Sequence, residues 1–133
     1  MKTAQDPRHL RRIKTFKSLF ARSFLSDNSF DDFSQEINQK LTDIDPIIEK
    51  SAPEWPLVQI NKIDLAILRL AIYELLFEPD TPAKVIIDEA IEIAKRYGSE
   101  NSGGFINGAL ASALPLCQRQ IDTEKPDNKS SKK

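Results

Sequence analysis

One cysteine, one histidine, one tryptophan and four glycines are spread over 133 residues, and each scarcity removes a class of chemistry. Cys117 alone excludes an internal disulfide, and no pair of cysteines or histidines exists to hold zinc. The only histidine, His9, stands among arginines, which oppose its protonation and supply no carboxylate to orient the ring. Ser99, Ser102 and Cys117 have no histidine nearby in sequence and no nucleophile-elbow pattern, so serine or cysteine hydrolase chemistry is unsupported. The steps between Gly103, Gly104 and Gly108 do not fit a dinucleotide fingerprint, and no Lys-Ser or Lys-Thr pair follows them as a P-loop requires. Long apolar runs are missing too: the longest, Ile63 to Phe77, is interrupted by Asp64, Arg69 and Glu74. The N-terminus lacks a secretory apolar run. The reading is a soluble cytoplasmic protein, with no membrane association, no metal and no cofactor.

What is present is charge, unevenly distributed. Residues 1–25 carry seven Lys/Arg against Asp6 alone, residues 26–100 carry seven against sixteen Asp/Glu, and the last 33 carry five against three. A basic arm of +6 thus precedes an acidic body of −9, and the near-neutral total conceals both. With two-fifths of its residues hydrophobic, the chain can bury one core. One helical domain over residues 1–121 is expected, followed by a polar, proline-bearing tail at 122–133 that reads as disordered.

The periodicity is helical throughout. Asp6-Pro7 is a start signal, and Leu10, Ile13, Phe16, Phe20 and Phe24 then form one apolar stripe with Arg8, Arg11, Arg12 and Arg22 roughly opposite. On this reading the first helix docks by its stripe and offers cations to solvent. Replacing Arg11 and Arg12 by alanine should then leave stability within about 1 kcal/mol. Phe33, Ile37, Leu41, Ile44 and Ile48 predict a second helix, kinked at Pro46 or restarting with Asp45 as cap. Trp55 is expected to plug a junction in the core. Asn61 caps a central helix to about Phe77, apolar on nearly every side. Thr81-Pro82 repeats the cap-then-proline signal for a helix to Tyr97, closed by Gly98 in the left-handed conformation. Ser102 can cap a last helix ending near Pro115.

Asp88, Glu89 and Glu92 are the best enzyme candidates, because two carboxylates one turn apart can bind a metal or divide acid and base roles. Lys95 and Arg96 follow Glu92 at the spacing of ordinary helix ion pairs, which favours a solvated face. Around residues 98–110, glycines and alanines strip bulk from the last helix and let its backbone approach a neighbour or an extended polymer closely. Phe105 adds a ring and Asn107 an amide.

The stretch "INKIDLAILRLAIYELLFEPDTPAKVIIDEAIEIAKRYGSENSGGFINGAL", residues 60–110, resembles the bacterial transcription antitermination family NusB. That family shows V-D-x-A-I-L-R-x-A-x-Y-E-L, P-x-K-V-x-I-N-E-A-I-E-L-A-K and F-V-N-G; "RHLRRIKTFKSLF" is similar to its arginine-rich first helix. Here Asp88 replaces a usual Asn and Gly104 a usual Lys, and the interval before Phe33 is shorter than the family's. The resemblance implies an all-α bundle of five to seven helices, with a shortened N-terminal subdomain, and no enzymatic activity. It implies pairing with ribosomal protein S10 (NusE), binding of boxA-like single-stranded RNA, and work within the RNA polymerase antitermination complex. By that analogy Arg8, Arg11, Arg12 and Lys14, with Asn101, Phe105 and Asn107, form the RNA site. Asp64, Glu74 and Glu78 are candidates for contact with a basic partner, although Glu74, beside Tyr73, also reads as structural. Two other classes stay open. One is a helical protein-interaction adaptor; the other is an RNA-binding module of an rRNA-modification system, since similar domains occur attached to RNA cytosine methyltransferases.

Overall fold

Asp6 and Asn61 each start a helix where the sequence predicts one. In the computed structural model, described over residues 6–24 and 32–121, the Asp6 carboxylate accepts from the Arg8 amide at 2.9 Å and Pro7 opens α1, Pro7–Arg22. Asn61 accepts from the Asp64 amide at 2.9 Å and opens the central α4, Lys62–Phe77. Between them lie α2 (Asp32–Asn38), α3 (Leu41–Ser51) and a 3₁₀ turn, Leu57–Gln59; α5 (Ala83–Tyr97) and α6 (Ser102–Leu116) follow. The expected tail at 122–133 lies outside the described residues.

The described residues form six α-helices and no strand. Eleven of the sixteen residues of α4 are buried, from Asp64 to Leu75, and α4 packs against all five other helices. Ile67, Leu68, Ile72 and Leu75 share one buried core with Ile37, Ile44, Ile48, Ile86, Ile93, Ile106 and Leu110. Each such aliphatic chain contributes about 1.5–3 kcal/mol by leaving water. α5 and α6 form an antiparallel pair against α4, and α1 lies across α4 with α2 beside it.

Four local expectations are corrected. The second helical pattern breaks at Gln39-Lys40, not at Pro46: the Lys40 amide bonds back to Ile37 in a tight turn, and Pro46 sits exposed inside α3. Asp45 is therefore no cap; it forks with Arg69 at 3.0 and 2.9 Å. Thr81 makes no side-chain cap for α5, which begins after Pro82. Gly98 ends α5 with φ −92°, so its need for glycine is steric, because an added Cβ would meet the Ser102 side chain and the Ala94 carbonyl oxygen. Ser102 is buried, and its hydroxyl accepts from the Ser99 amide at 3.0 Å, which folds the α5–α6 turn back on itself.

The C-terminal end of α6 is tied down in turn. Gln118 takes φ 58°, and the Arg119 guanidinium then donates to the carbonyl oxygens of Leu75 and Thr81. Those carbonyls flank the α4–α5 connection, where a helix terminus leaves acceptors unsatisfied.

Candidate nucleic-acid interface

α1 docks by a different face from the one its apolar stripe predicts. Leu10 is 50% exposed and Phe24 61% exposed, whereas Phe16 and Leu19 are buried and His9 and Arg12 point inward with them. His9, Arg12, Phe16 and Leu19 follow one another at steps of three and four, so they share one side of the helix. Opposite them, from α4 and α5, come two buried carboxylates. Arg12 forks onto Glu74 with contacts of 2.7, 2.9 and 3.1 Å, and His9 Nδ1 lies 2.8 Å from Glu89 Oε1. Burial opposes the Arg12 charge, but the bonds to Glu74 and the nearby charges of Glu89 and Glu78 outweigh it and raise its pKa.

This layer corrects three expectations. Arg12 is not a surface cation for RNA, because its side chain is only 11% exposed and is spent on Glu74. Glu74 is likewise not a partner contact. His9 does have a carboxylate to orient it, supplied from 80 residues away. Of the three acids on α5, Asp88 pairs with Lys84 at 2.7 Å on the solvent side and Glu89 is the inward one. Among the described residues, no cluster of His, Cys, Asp and Glu fits a metal ion.

The cations left at the surface run along α1 and reach the far end of α5. Arg8 and Arg11 are exposed near the start of α1, where Arg11 stacks 3.9 Å above the Phe33 ring and lies 3.6 Å from Glu78. Lys14 and Lys17 follow on the outer face beside Leu10, Ile13 and Ala21. Lys17 and Arg96 both stand 5.4 Å from the Tyr97 ring, itself packed on Phe16. Lys95 borders a cavity shared with Ile91, Ser99, Gly103, Gly104 and Asn107. Lys17, Lys95 and Arg96 were absent from the sequence-based site; the signal was present as cations at matching steps, but Lys95 and Arg96 also suited Glu92.

α1 and α5 run parallel, since His9 meets Glu89 and Phe16 meets Tyr97. Arg8 shares a recess with Val85, so Arg8 and the α5–α6 turn are separated by roughly 18 Å of α5 at 1.5 Å per residue. The cations nearest the turn are Lys17, Lys95 and Arg96. Asn107 and the exposed Gly104 and Gly108 lie on the outer side of α6, and a Cβ added at either glycine would meet nothing within 4 Å. Asn101 and Phe105 face a second cavity with Trp55, Gln59, Ile60, Asn61, Asp64 and Ser99. Trp55 is 49% exposed there and not a core plug.

Asp64 is the unusual member of that cavity. It is 7% exposed, and its Oδ1 has no hydrogen-bond partner among the described residues. Burial raises its pKa above the ordinary carboxylate value, with a hydrogen bond from Ser102 pulling the other way. Glu78 is also raised, by burial and then by the charge of Glu74, with Arg11 and Arg12 opposing.

A sequence profile of the NusB family matches residues 12–115, from within α1 to the last turn of α6. The chain belongs to the NusB family. The transcription antitermination protein NusB of Thermotoga maritima is 42% identical over 126 residues, covering 80% of this chain and 89% of that protein. The Agathobacter rectalis protein of the same name is 44% identical over 81 residues, 61% of this chain and 62% of its own length. A solved structure of T. maritima NusB superposes with a TM-score of 0.69, covering 85% of this chain and 92% of that one. NusB relatives act in transcription antitermination, and that is the general role of this family member. No helix among the described residues is long and apolar enough to cross a membrane.

Proposed function

We propose that this NusB-family chain binds boxA-type single-stranded RNA together with ribosomal protein S10 (NusE) during transcription of rRNA, as a non-enzymatic, cytoplasmic part of the antitermination complex. One observation carries the reading: Lys95 borders a cavity with Gly103, Gly104 and Asn107 of α6, where Gly104 and Gly108 have nothing inside the protein that requires glycine, and Lys17 and Arg96 flank the Tyr97 ring at the same end of α5. Glycines kept small for internal packing would have neighbours against an added Cβ; Gly104 and Gly108 have none. Small residues beside cations suit a strand of phosphates approaching the backbone closely. Arg8, Arg11 and Lys14 extend the positive surface along α1, and Asn101, Phe105 and Asn107 supply edge hydrogen bonds and a ring.

The NusE contact is placed at the acidic end of α4. Glu78 retains partial exposure, and burial, followed by the charge of Glu74, raises its pKa against the opposing Arg11 and Arg12, with Glu36 a further carboxylate beside it. A basic partner surface would relieve that repulsion and speed encounter.

The test is fluorescence anisotropy with a labelled boxA RNA, with and without NusE, over 50–300 mM salt. Affinity should fall steeply with salt, and Lys17→Ala with Arg96→Ala should flatten the slope by about two counterions. Salt-independent binding, or no binding with NusE present, leaves a protein-interaction adaptor instead.

A further inference from the structure

The connection between α4 and α5, Glu78-Pro79-Asp80-Thr81-Pro82, is poor in backbone donors. Pro79 and Pro82 have no N–H, and in a helix the carbonyl of Leu75 would accept from the amide of residue 79, so the sequence leaves that acceptor open. The connection's own backbone supplies Glu78 N–H to the Glu74 carbonyl at 2.9 Å and Thr81 N–H to the Glu78 carbonyl at 3.1 Å. Arg119 supplies the rest. Its guanidinium donates to the carbonyl oxygens of Leu75 and Thr81, 44 and 38 residues earlier in the chain, so one side chain holds residues 76–80 at both ends.

Reaching those carbonyls takes an uncommon bend. α6 ends in a Schellman pattern, with the Arg119 amide bonded to the Leu114 carbonyl and the Gln118 amide to that of Pro115. The left-handed residue that the pattern needs is Gln118, the only non-glycine at positive φ among the described residues. Such a conformation persists where the surroundings over-determine it, and the fork of Arg119 on two carbonyls is a surrounding of that kind. A lysine's point charge would not reproduce the planar fork.

We propose that Arg119 is a positioning residue for the protein-partner surface: by clamping the two ends of the connection it holds Glu78 where its carboxylate meets a basic partner. The inference rests on the NusE reading above and adds to it a residue that acts through another. Glu78 is 29% exposed and lies 3.6 Å from Arg11, so its place decides whether it faces the partner or only the neighbouring cation. Without the clamp a competent Glu78 is present in only a fraction of molecules, and apparent affinity falls by that fraction. Charge alone predicts the opposite sign. Arg119 is a cation bonded to the connection that carries Glu78, so its removal would speed encounter with a basic partner if position did not matter.

Stopped-flow association of the full-length protein with NusE at low salt tests the proposal on the parent, Arg119→Met, Glu78→Lys and the double variant, each checked by circular dichroism and assayed below its melting temperature. Arg119→Met should slow association about threefold, leave affinity for boxA RNA unchanged, and cause no further slowing in the Glu78→Lys background. A rate equal to or above the parent's, the same slowing on top of Glu78→Lys, or a matching loss of RNA affinity overturns the positioning role. If Arg119→Met does not fold, Arg119→Lys keeps the charge without the fork, and the parent's rate in that variant overturns it equally. Glu78→Lys associating at the parent's rate overturns instead the NusE reading underneath.

Discussion

Arg12 and Asp64 show how far a single side chain can depart from its sequence neighbourhood. Arg12 sits in a run of cations, yet it neutralises a buried carboxylate on another helix. Arg12→Ala should therefore cost about 3–5 kcal/mol in a denaturant titration, because Glu74 would be left buried without its counter-charge. A loss below about 1 kcal/mol, as expected of a surface arginine, would mean that the pair is open in solution. Arg12→Met combined with Glu74→Leu should recover much of that loss, since removing both charges also removes their desolvation cost. Asp64 gives a pH signature. Its folded pKa lies above the model-compound value of 3.8, so the unfolded chain ionises it first and stability is lost as pH rises through the folded pKa. Below about 3.8 the carboxyl is protonated in both states and the effect vanishes. Asp64→Asn should thus gain in melting temperature over the parent at pH 7, with the gain shrinking toward pH 4. A constant difference would assign the effect to packing.

At the level of helices, α4 and the starts of α1 and α4 were legible in the sequence because capping and density of apolar residues are local properties. The docking face of α1 was not. Its apolar stripe correctly included Phe16, but Leu10 and Phe24 stay in solvent while His9 and Arg12 turn inward. Hydrophobic spacing sees only one helix, whereas the inward face was selected by Glu74 and Glu89, which are 62 and 80 residues away. Trp55 was misread for the same reason: a large ring suggests a core, but the connector carries it to the rim of a cavity. The outer side of α6 gives the matching experiment. Gly104→Ala and Gly108→Ala have free space and helical backbone, so each should stabilise the protein by about 0.5–1 kcal/mol. If the strand approaches these positions, the stabler double variant should bind RNA at least tenfold more weakly in anisotropy. Unchanged affinity would move the strand off α6.

For the molecule as a whole, charge is segregated by sign. Positive groups follow α1 to the end of α5, and carboxylates gather where Glu36, Glu74 and Glu78 converge beside α4. The two surfaces meet where Arg11 lies 3.6 Å from Glu78, so partners of opposite charge would bind side by side. Glu78→Lys should slow association with NusE about tenfold at low salt in stopped-flow measurements, and leave dissociation and RNA affinity nearly unchanged. An effect confined to the dissociation rate would instead indicate a desolvated contact. The all-α class was readable from periodicity along the chain and family membership from the central fifty residues, while the expected five to seven helices resolve into six among the described residues. The candidate RNA surface was readable in part: Arg8, Arg11 and Lys14 are at the surface, Arg12 is not, and Lys17, Lys95 and Arg96 emerged only once α1 was seen running parallel to α5.

The two inward ion contacts of α1 have a mechanical corollary. Greasy interfaces tolerate sliding, since one methyl group substitutes for another, but a shift of α1 by one turn would strand both Glu74 and Glu89 away from their counterparts. The leading helix is thus indexed against α4 and α5 like a key with two teeth, which fixes where along the molecule Lys14 and Lys17 stand.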